Sequence, residues 1–187
     1  MDKFITYNTK NHQEFLTMTF DEICNIFGEH YISFNDLRKS FCNEQSYYGY
    51  VVFSESRIVA GVLYHLIGNN EAEIADYKRI FSRVGDPIVD KNTIVIDTIF
   101  TVDGFRKQGL ASKLLTQVIN TVNNNIVVIS WKNNTSAQSF NIFKQHNFEE
   151  ILLVPEFWKE DSIKYKYECP VCGNPCTCGA IFLFFKK

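Results

Sequence analysis

The chain has 187 residues, of which 45% are hydrophobic and 15% aromatic, and its formal net charge is −2 at pH 7. This composition suffices for one domain with a substantial core and excludes an intrinsically disordered chain. The near-neutral charge argues against a duplex-binding protein but leaves room for a local nucleic-acid patch, and no segment has the length of a membrane span.

The first half of the chain predicts helices, a hairpin and a polar excursion. Apolar periodicity and turn residues define these elements. In chain order they are a short strand at 2–8, helices at 11–27 and 33–41, two strands at 47–55 and 57–68, and a long polar segment at 69–92 containing a short helix.

The second half alternates strands and helices. The predicted elements are strands at 92–102, 125–131, 148–158 and 162–168, with helices at 107–123 and 133–147 between the first three. The strand at 92–102 is the most apolar run, which indicates burial on both faces. Crossover helices imply parallel pairing in this half, whereas the early hairpin implies antiparallel pairing. The sequence therefore predicts an α+β fold with a central mixed β-sheet flanked by helices.

The turn between the strand at 92–102 and the next helix is predicted to bind an anion. Gly104 and Gly109 leave the main chain accessible, and Arg106 and Lys107 add positive charge. Amides at a helix N-terminus bind phosphate well. A P-loop is excluded because Leu110 and the alanine after it occupy the two positions where that motif requires Lys and Ser or Thr. A solvated helix cap without a ligand is the other alternative.

The run Arg106-x-x-Gly109-x-Ala111, with a strand before it and a helix after it, resembles the signature Q/R-x-x-G-x-G/A of GNAT-type N-acetyltransferases. The element order agrees over residues 3–168. The resemblance implies a β-bulge, splayed strands, and direct transfer of acetyl from acetyl-CoA to a primary amine of a small molecule or protein. The contacts implied for acetyl-CoA are Phe100, Thr101, Val102, Arg106, Lys107, Gln108, Gly109, Leu110, Ala111, Ser112 and Asn134.

The next helix departs from the family pattern N-x-x-A-x-x-L-Y-x-x-x-G-F. Phe143 stands where the family has a Tyr proposed as general acid, and Asn147 stands where Gly is usual. Asn tolerates the left-handed conformation at a helix end, but a phenyl ring has no proton to donate. Phe143 is expected in the core. Tyr165, Tyr167 or water would then protonate the leaving thiolate, or activity would be weak.

Asp97 is the candidate general base, because it interrupts the apolar run "IVIDTIF". A buried carboxylate is costly unless it is paired or functional, and burial raises its pKa towards useful values. Some polyamine-acetylating relatives carry a carboxylate at the matching place. A structural Asp bonded to neighbouring groups is the alternative, and His65 in the preceding strand is a rival base.

The C-terminal segment carries Cys169, Cys172, Cys176 and Cys178, a pattern that predicts a tetrahedral Zn²⁺ site with a structural role. We expect a GNAT domain at 1–168 followed by a metal-binding hairpin at 169–187 that continues the sheet. An iron–sulfur site, disulfides, or a site shared between two chains are alternatives. Clustered rather than dispersed cysteines, and an N-terminus without a signal pattern, predict a cytoplasmic protein.

The acceptor and the oligomeric state stay open at this stage, with a homodimer among the alternatives. The segments 27–45 and 69–92 are expected to select the acceptor, and their acidic residues favour a cationic amine. These residues are Glu29, Asp36, Glu44, Glu71 and Glu73. The alternative function is a weak or inactive acyl-CoA-binding protein that uses its zinc hairpin to bind a protein or nucleic acid.

Overall fold

The computed structural model describes residues 5–8, 15–27, 47–55, 57–81, 89–133 and 138–187. The predicted helix at 33–41 and Asn134 lie outside this part. In order, the elements are β1 Ile5–Asn8, α1 Phe15–Phe27, β2 Tyr47–Ser54, β3 Arg57–Leu66, α2 Glu71–Phe81, β4 Ile94–Thr101, α3 Leu110–Thr121, β5 Ile126–Lys132, α4 Gln138–Gln145, β6 Glu149–Val154, α5 Lys159–Tyr165 and β7 Gly179–Phe185.

The strands form a seven-stranded sheet in the order β1-β2-β3-β4-β5-β7-β6. The pair β4–β5 is parallel. All other neighbouring strands in this sheet are antiparallel. The predicted α+β fold with a mixed sheet is therefore confirmed, and the parallel pair lies where the crossover helix α3 was predicted to join two strands.

Side chains alternate between two covered faces of the sheet, as the strand period requires. Ile96 of β4 and Val128 of β5 pack against α3 and α4, on what we call the α3 face. Val95 and Val127 pack on the opposite, α2 face, with α2 and Trp158 beside α5. Helix α1 covers the same α2 face near β3, where it meets Leu63 and Phe100. Two-sided burial explains why β4 and β5 are almost wholly apolar.

The predicted strand at 162–168 is wrong, because most of this segment belongs to α5. Its alternating apolar residues suggested a strand, yet Ile163 and Tyr165 are 55% and 57% exposed. Glu160 and Asp161 lie in the first turn of α5, where negative charge stabilises a helix. Lys166 ends the helix in the left-handed conformation, with φ 56°. The last strand of the sheet comes instead from beyond the cysteines.

Strand β7 lies inside the sheet rather than at its edge. It pairs along its length with β5 on one side and with β6 on the other. Among the described strands, β6 reaches the sheet only through β7. Residues 179–185 therefore share one hydrogen-bonded layer with the rest of the fold. No described helix is both long enough and apolar enough to span a bilayer.

Phe182 of β7 provides a test of how strongly this strand is integrated. It is fully buried, and its ring centroid lies 6.0 Å from that of Phe81 and 5.4 Å from that of Phe157. We expect Phe182→Ala to lower the free energy of unfolding by about 3–5 kcal/mol, measured by urea denaturation. Val171→Ala is the control, since Val171 is 47% exposed. A loss below about 1 kcal/mol for Phe182→Ala would contradict an integral β7.

Candidate active site and metal centre

The site is a gap in the sheet between β4 and β5. These strands pair over only three residues each, from Ile94↔Ile126 to Ile96↔Val128. Beyond that point β4 continues to Thr101 and β5 to Lys132 without further pairing to each other. A cavity of about 980 Å³ occupies the gap and is lined by residues of both strands. On the edge that faces away from β3, the backbone of β4 from Asp97 onwards thus borders the cavity rather than a neighbouring strand.

A β-bulge in β4 brings Asp97 to this cavity. Leu63 of β3 pairs with Thr98 and Tyr64 pairs with Ile96, so Asp97 is an extra residue in β4. Ile96 and Ile99 accordingly both pack on the α3 face, although strict alternation would place them on opposite faces. The Asp97 side chain lines the cavity and is 35% exposed.

His65 joins Asp97 to a second carboxylate, Glu73. The imidazole Nδ1 lies 2.8 Å from Asp97 Oδ2, and Nε2 lies 2.8 Å from Glu73 Oε1. Both ring nitrogens must carry a proton to donate to two carboxylates, which makes His65 an imidazolium. Asn70 supports the far end by donating from Nδ2 to Glu73 Oε2 at 3.1 Å. The two rival bases of the sequence analysis are therefore hydrogen-bonded partners.

The charges of this network shift its pKa values. Burial alone would lower the pKa of His65, but the hydrogen bonds and negative charges of Asp97 and Glu73 outweigh it and raise the pKa to about 10. Burial raises the pKa of Asp97, and the bond from His65 opposes this effect. One imidazolium beside two carboxylate groups leaves one negative charge in excess when both acids are ionised. That charge favours a cationic ligand on the α2 face.

Glu73 has no sequence signal as part of this network. The sequence analysis identified it only as one of several acidic residues that favour a cationic acceptor. Its position follows from α2, whose first turn presents Glu73 towards His65 eight residues earlier in the chain. The contact crosses from a helix to a strand, and local periodicity does not encode such a pairing.

The turn from β4 into α3 forms an open cradle of main chain. Gly104, Lys107 and Gly109 have positive φ values of 86°, 61° and 76°. A Cβ built on either glycine would meet nothing within 4 Å, so the space above the main chain is free. Gly109 is the N-cap of α3, whose first amides face the turn. Left-handed residues next to a helix N-terminus make a concave site for anions.

Most of the predicted acetyl-CoA contacts lie along this cavity. The lining residues among them are Phe100, Thr101, Arg106, Lys107, Gly109, Leu110, Ala111 and Ser112. Val102 and Gln108 do not line it: the Val102 amide donates to the Val59 carbonyl, and the Gln108 side chain donates to the Gly104 carbonyl. The Arg106 guanidinium lies 3.0 Å from Asp103, which offsets part of its charge.

Phe143 is confirmed as a core residue. It is 1% exposed, and its ring centroid lies 5.2 Å from that of Phe148. Tyr165 is exposed and contacts Lys164. Tyr167 lines the cavity, is 6% exposed, and donates from its hydroxyl to the Trp158 carbonyl at 3.3 Å. Of the two tyrosines, only Tyr167 therefore places its side chain at the cavity wall.

The four C-terminal cysteines converge on one point. Their sulfur atoms all lie within 4.8 Å of one another. Three of the separations are 3.9 Å for Cys169–Cys178, 3.6 Å for Cys172–Cys176 and 3.6 Å for Cys172–Cys178. A tetrahedral Zn²⁺ with bonds of about 2.3 Å sets its sulfurs about 3.8 Å apart. The sulfurs fit one tetrahedral ion, and no disulfide joins them.

Local backbone geometry supports this arrangement, which we call the knuckle (residues 169–178). Cys169 and Gly173 exchange two main-chain hydrogen bonds, with Gly173 at φ 73°. The Thr177 amide donates to Cys172 Sγ at 3.2 Å. Burial acts to raise the pKa of Cys172, but this bond and those of the neighbouring thiols lower it to about 6. Bonds from main-chain N–H groups to sulfur favour the thiolate form that binds metals.

The knuckle also touches the cavity. Cys169, Pro170 and Cys176 line it, together with Trp158. Trp131 and Trp158 both pack against the cysteines. The Trp158 Nε1 group is buried and has no hydrogen-bond partner among the described residues. An unsatisfied buried donor costs about 1–3 kcal/mol, which makes this group a candidate donor to a ligand or a water molecule.

Comparison with known proteins gives a family and a fold. The sequence model described as "Acetyltransferase (GNAT) family" matches residues 15–141. The structure is similar to Arabidopsis thaliana NAA60 in complex with acetyl-CoA, at 14% identity over 97% of each chain and a TM-score of 0.67. It is also similar to a GNAT family acetyltransferase from Elizabethkingia anophelis with acetyl-CoA bound, at 16% identity over 100% of each chain and a TM-score of 0.63.

A third similar structure is the ribosomal-protein-S18-alanine N-acetyltransferase from Escherichia coli, at 11% identity over 97% of this chain and 93% of that one, with a TM-score of 0.62. A search of curated protein sequences found no match. At these identities the structural similarities establish the fold alone.

The knuckle predicts a measurable metal content. We expect about one equivalent of zinc or iron per chain by elemental analysis after purification without chelators, because four converging thiolates bind such ions tightly. Cys178→Ala should lose the metal, whereas Cys24→Ala should keep it, since Cys24 lies in α1. Less than about half an equivalent in the unmodified protein would contradict the site.

Proposed function

Because the chain belongs to the GNAT acetyltransferase family, we propose that it is an acetyl-CoA-dependent N-acetyltransferase acting on a primary amine. One observation carries the proposal: a single cavity passes between β4 and β5 and joins the open turn on the α3 face to the Asp97 network on the α2 face. A cofactor bound at the turn can thus present its reactive end to an amine on the other side.

The cofactor half of the cleft suits acetyl-CoA. The turn amides and the N-terminus of α3 would hold the pyrophosphate, with Lys107 adding charge. The pantetheine arm has amides of its own and would pair with the unpaired edge of β4 near Phe100–Val102 in the manner of an added strand. Two of the similar structures contain acetyl-CoA, which supports this assignment.

Asp97 is the proposed general base. A primary amine is mostly protonated near pH 7, and the ammonium must lose a proton before its nitrogen can attack. Asp97 would accept that proton, with Oδ2 held by His65 and the remaining oxygen available to the amine or a bridging water. The amine nitrogen then forms a bond to the acetyl carbonyl carbon, the carbon–sulfur bond breaks, and CoA leaves as the thiolate. The net negative charge of the network favours a cationic acceptor.

The thiolate needs a proton that Phe143 cannot supply. Tyr167 and Ser139, which both carry hydroxyl groups, line the cavity, and Ser139 Oγ lies 2.8 Å from Ser130 Oγ. In the proposal one of these groups, or water, protonates CoA. The missing family tyrosine also supports a second candidate, an acyl-CoA-binding protein without transfer activity. Thiol release from acetyl-CoA with a panel of polyamines, lysine peptides and free peptide N-termini separates the two.

Asp97→Asn tests the base. The amide cannot accept the proton, so kcat/KM should fall by about 10²–10⁴-fold. In the unmodified protein kcat/KM should rise with pH as Asp97 loses its proton, on a limb shifted above the ordinary carboxyl range because burial raises this pKa. That limb should vanish in the variant, while the Kd for acetyl-CoA stays within about twofold.

Asp76→Asn is the matched control for Asp97→Asn, because Asp76 is exposed on α2 and pairs with Arg79. It should leave kcat/KM and the pH profile unchanged. If Asp97→Asn keeps the activity and the pH profile of the unmodified protein, Asp97 is not the base.

Gly109→Ala tests the turn. At φ 76° an L-residue costs about 1–2 kcal/mol, and its methyl group would project into the cradle. We expect acetyl-CoA to bind at least tenfold more weakly by calorimetry. Gly68→Ala is the matched control, because Gly68 also has a positive φ, 62°, but follows the end of β3 that lies away from the turn. This substitution should lower the stability of the protein without changing acetyl-CoA binding. Equal Kd values for both variants would argue against a cofactor at the turn.

A further inference from the structure

We propose that the knuckle forms the acceptor-side wall of the cleft, and that a metal ion bound by its four cysteines controls acceptor binding. This inference rests on the proposed function, because it assigns the two faces of the cavity to two substrates. It gives the metal site a role in specificity beyond holding the local fold together. Four observations carry it.

The first observation is the side of the sheet on which the knuckle lies. Trp158 packs on the α2 face with Val127, and Trp131 follows the same alternation along β5 to meet the cysteines. Glu73 and His65 place the Asp97 carboxylate towards the same face. The turn and α3 lie on the other face. The knuckle therefore borders the end of the cavity that holds the proposed base, not the end that holds the cofactor.

The second observation is direct lining. Cys169, Pro170 and Cys176 border the cavity, and so do Trp158 at the start of α5 and Tyr167 shortly after its end. Two of the four candidate metal ligands are thus wall residues. A displacement of either residue changes the shape of the cavity that Asp97 also lines.

The third observation is how little else holds this segment. Residues 166–178 contain no helix or strand longer than an isolated bridge between Cys169 and Gly173. The remaining anchors reach back to the end of α5. Asn174 Nδ2 donates to the Ser162 and Tyr167 carbonyls, and the Cys176 amide donates to Ser162 Oγ. These bonds fix the middle of the loop, whereas the main-chain bonds between Cys169 and Gly173 are internal to the knuckle and do not tie it to the sheet.

The fourth observation is the packing of both aromatic wall residues on the thiols. The chain contains 2 tryptophans, and these are Trp131 and Trp158. The indole of Trp131 is hydrogen-bonded to Cys178. Loss of the metal releases the cysteines against which both rings pack. Since Trp131 and Trp158 also line the cavity, the acceptor wall moves with them.

Cys172→Ala tests the inference, because Cys172 is a candidate ligand that is absent from the cavity lining. We expect the variant to lose its metal and the KM for the best amine of the panel to rise at least tenfold. The Kd for acetyl-CoA should stay within about twofold. Cys24→Ala, a half-buried cysteine in α1, is the matched control and should change neither value.

Reversible chelation of the unmodified protein covers the case in which Cys172→Ala does not fold. Because both tryptophans pack on the knuckle, removal of the metal with phenanthroline should shift their emission to longer wavelength, and added ZnCl₂ should restore it. Acetyl-CoA should bind equally in both states, while the amine should bind only when metal is present.

Three results would overturn the inference: an unchanged acceptor KM or Kd after metal loss, an unchanged tryptophan emission, or an equal weakening of acetyl-CoA and acceptor. Failure of the proposed function is distinguishable, since it appears in the metal-loaded protein as the absence of acetyl transfer to any amine. The emission and acetyl-CoA binding measurements still report on the knuckle in that case.

Discussion

The early separation of β4 and β5 is the constraint on which the rest of the molecule depends. After three paired residues on each strand, the edges diverge and leave backbone donors and acceptors facing a cavity. A soluble sheet normally avoids such an opening, because unpaired strand edges are costly when buried. Here the parallel pair is held from outside: β3 binds β4 along its full length, and β7 binds β5. The gap persists because each strand has a complete partner on its other side.

The bulge at Asp97 completes this arrangement. It adds one residue to β4 at the point where pairing with β5 ends, and so turns a carboxylate towards the opening. The extra residue also shifts the alternation, so Ile99 after the bulge packs on the same face as Ile96 before it. His65 then offsets part of the charge of this carboxylate, with Glu73 as its second partner. Burial raises the pKa of this carboxyl group, and the hydrogen bond and charge of the imidazolium oppose that shift. Strand geometry and electrostatics thus act on the same residue.

Local sequence patterns predicted much of the fold and part of the site. The dense apolar run of β4 and the stripe Leu110, Leu114 and Val118 of α3 carry unambiguous periods, and both elements were predicted in place. Asp97 stood out because it interrupts that run. The segment 162–168 failed because Ile163, Tyr165 and Tyr167 alternate like a strand while α5 exposes two of them.

Two features had no local signal. Glu73 joins the site through tertiary packing of α2, and β7 occupies a position inside the sheet that sequence order does not reveal. The convergence of the four cysteines was predictable from their spacing, but their place in the cavity wall was not, since it depends on where β7 inserts.

The position of β7 has a consequence for how the protein folds. Strand β5 pairs with a strand that is distant in sequence, since even its nearest pair joins Lys132 to Gly179. Strand β6 cannot join the sheet until β7 has done so. Such distant pairings slow folding because the loop must close before any contact forms. A metal ion bound by the four cysteines would gather residues 169–178 into one compact turn, shorten that loop and lower the entropic barrier. Until β7 is in place, the exposed edges of β5 and β6 are free to pair with other chains, so a metal bound at the knuckle would also act against aggregation during folding.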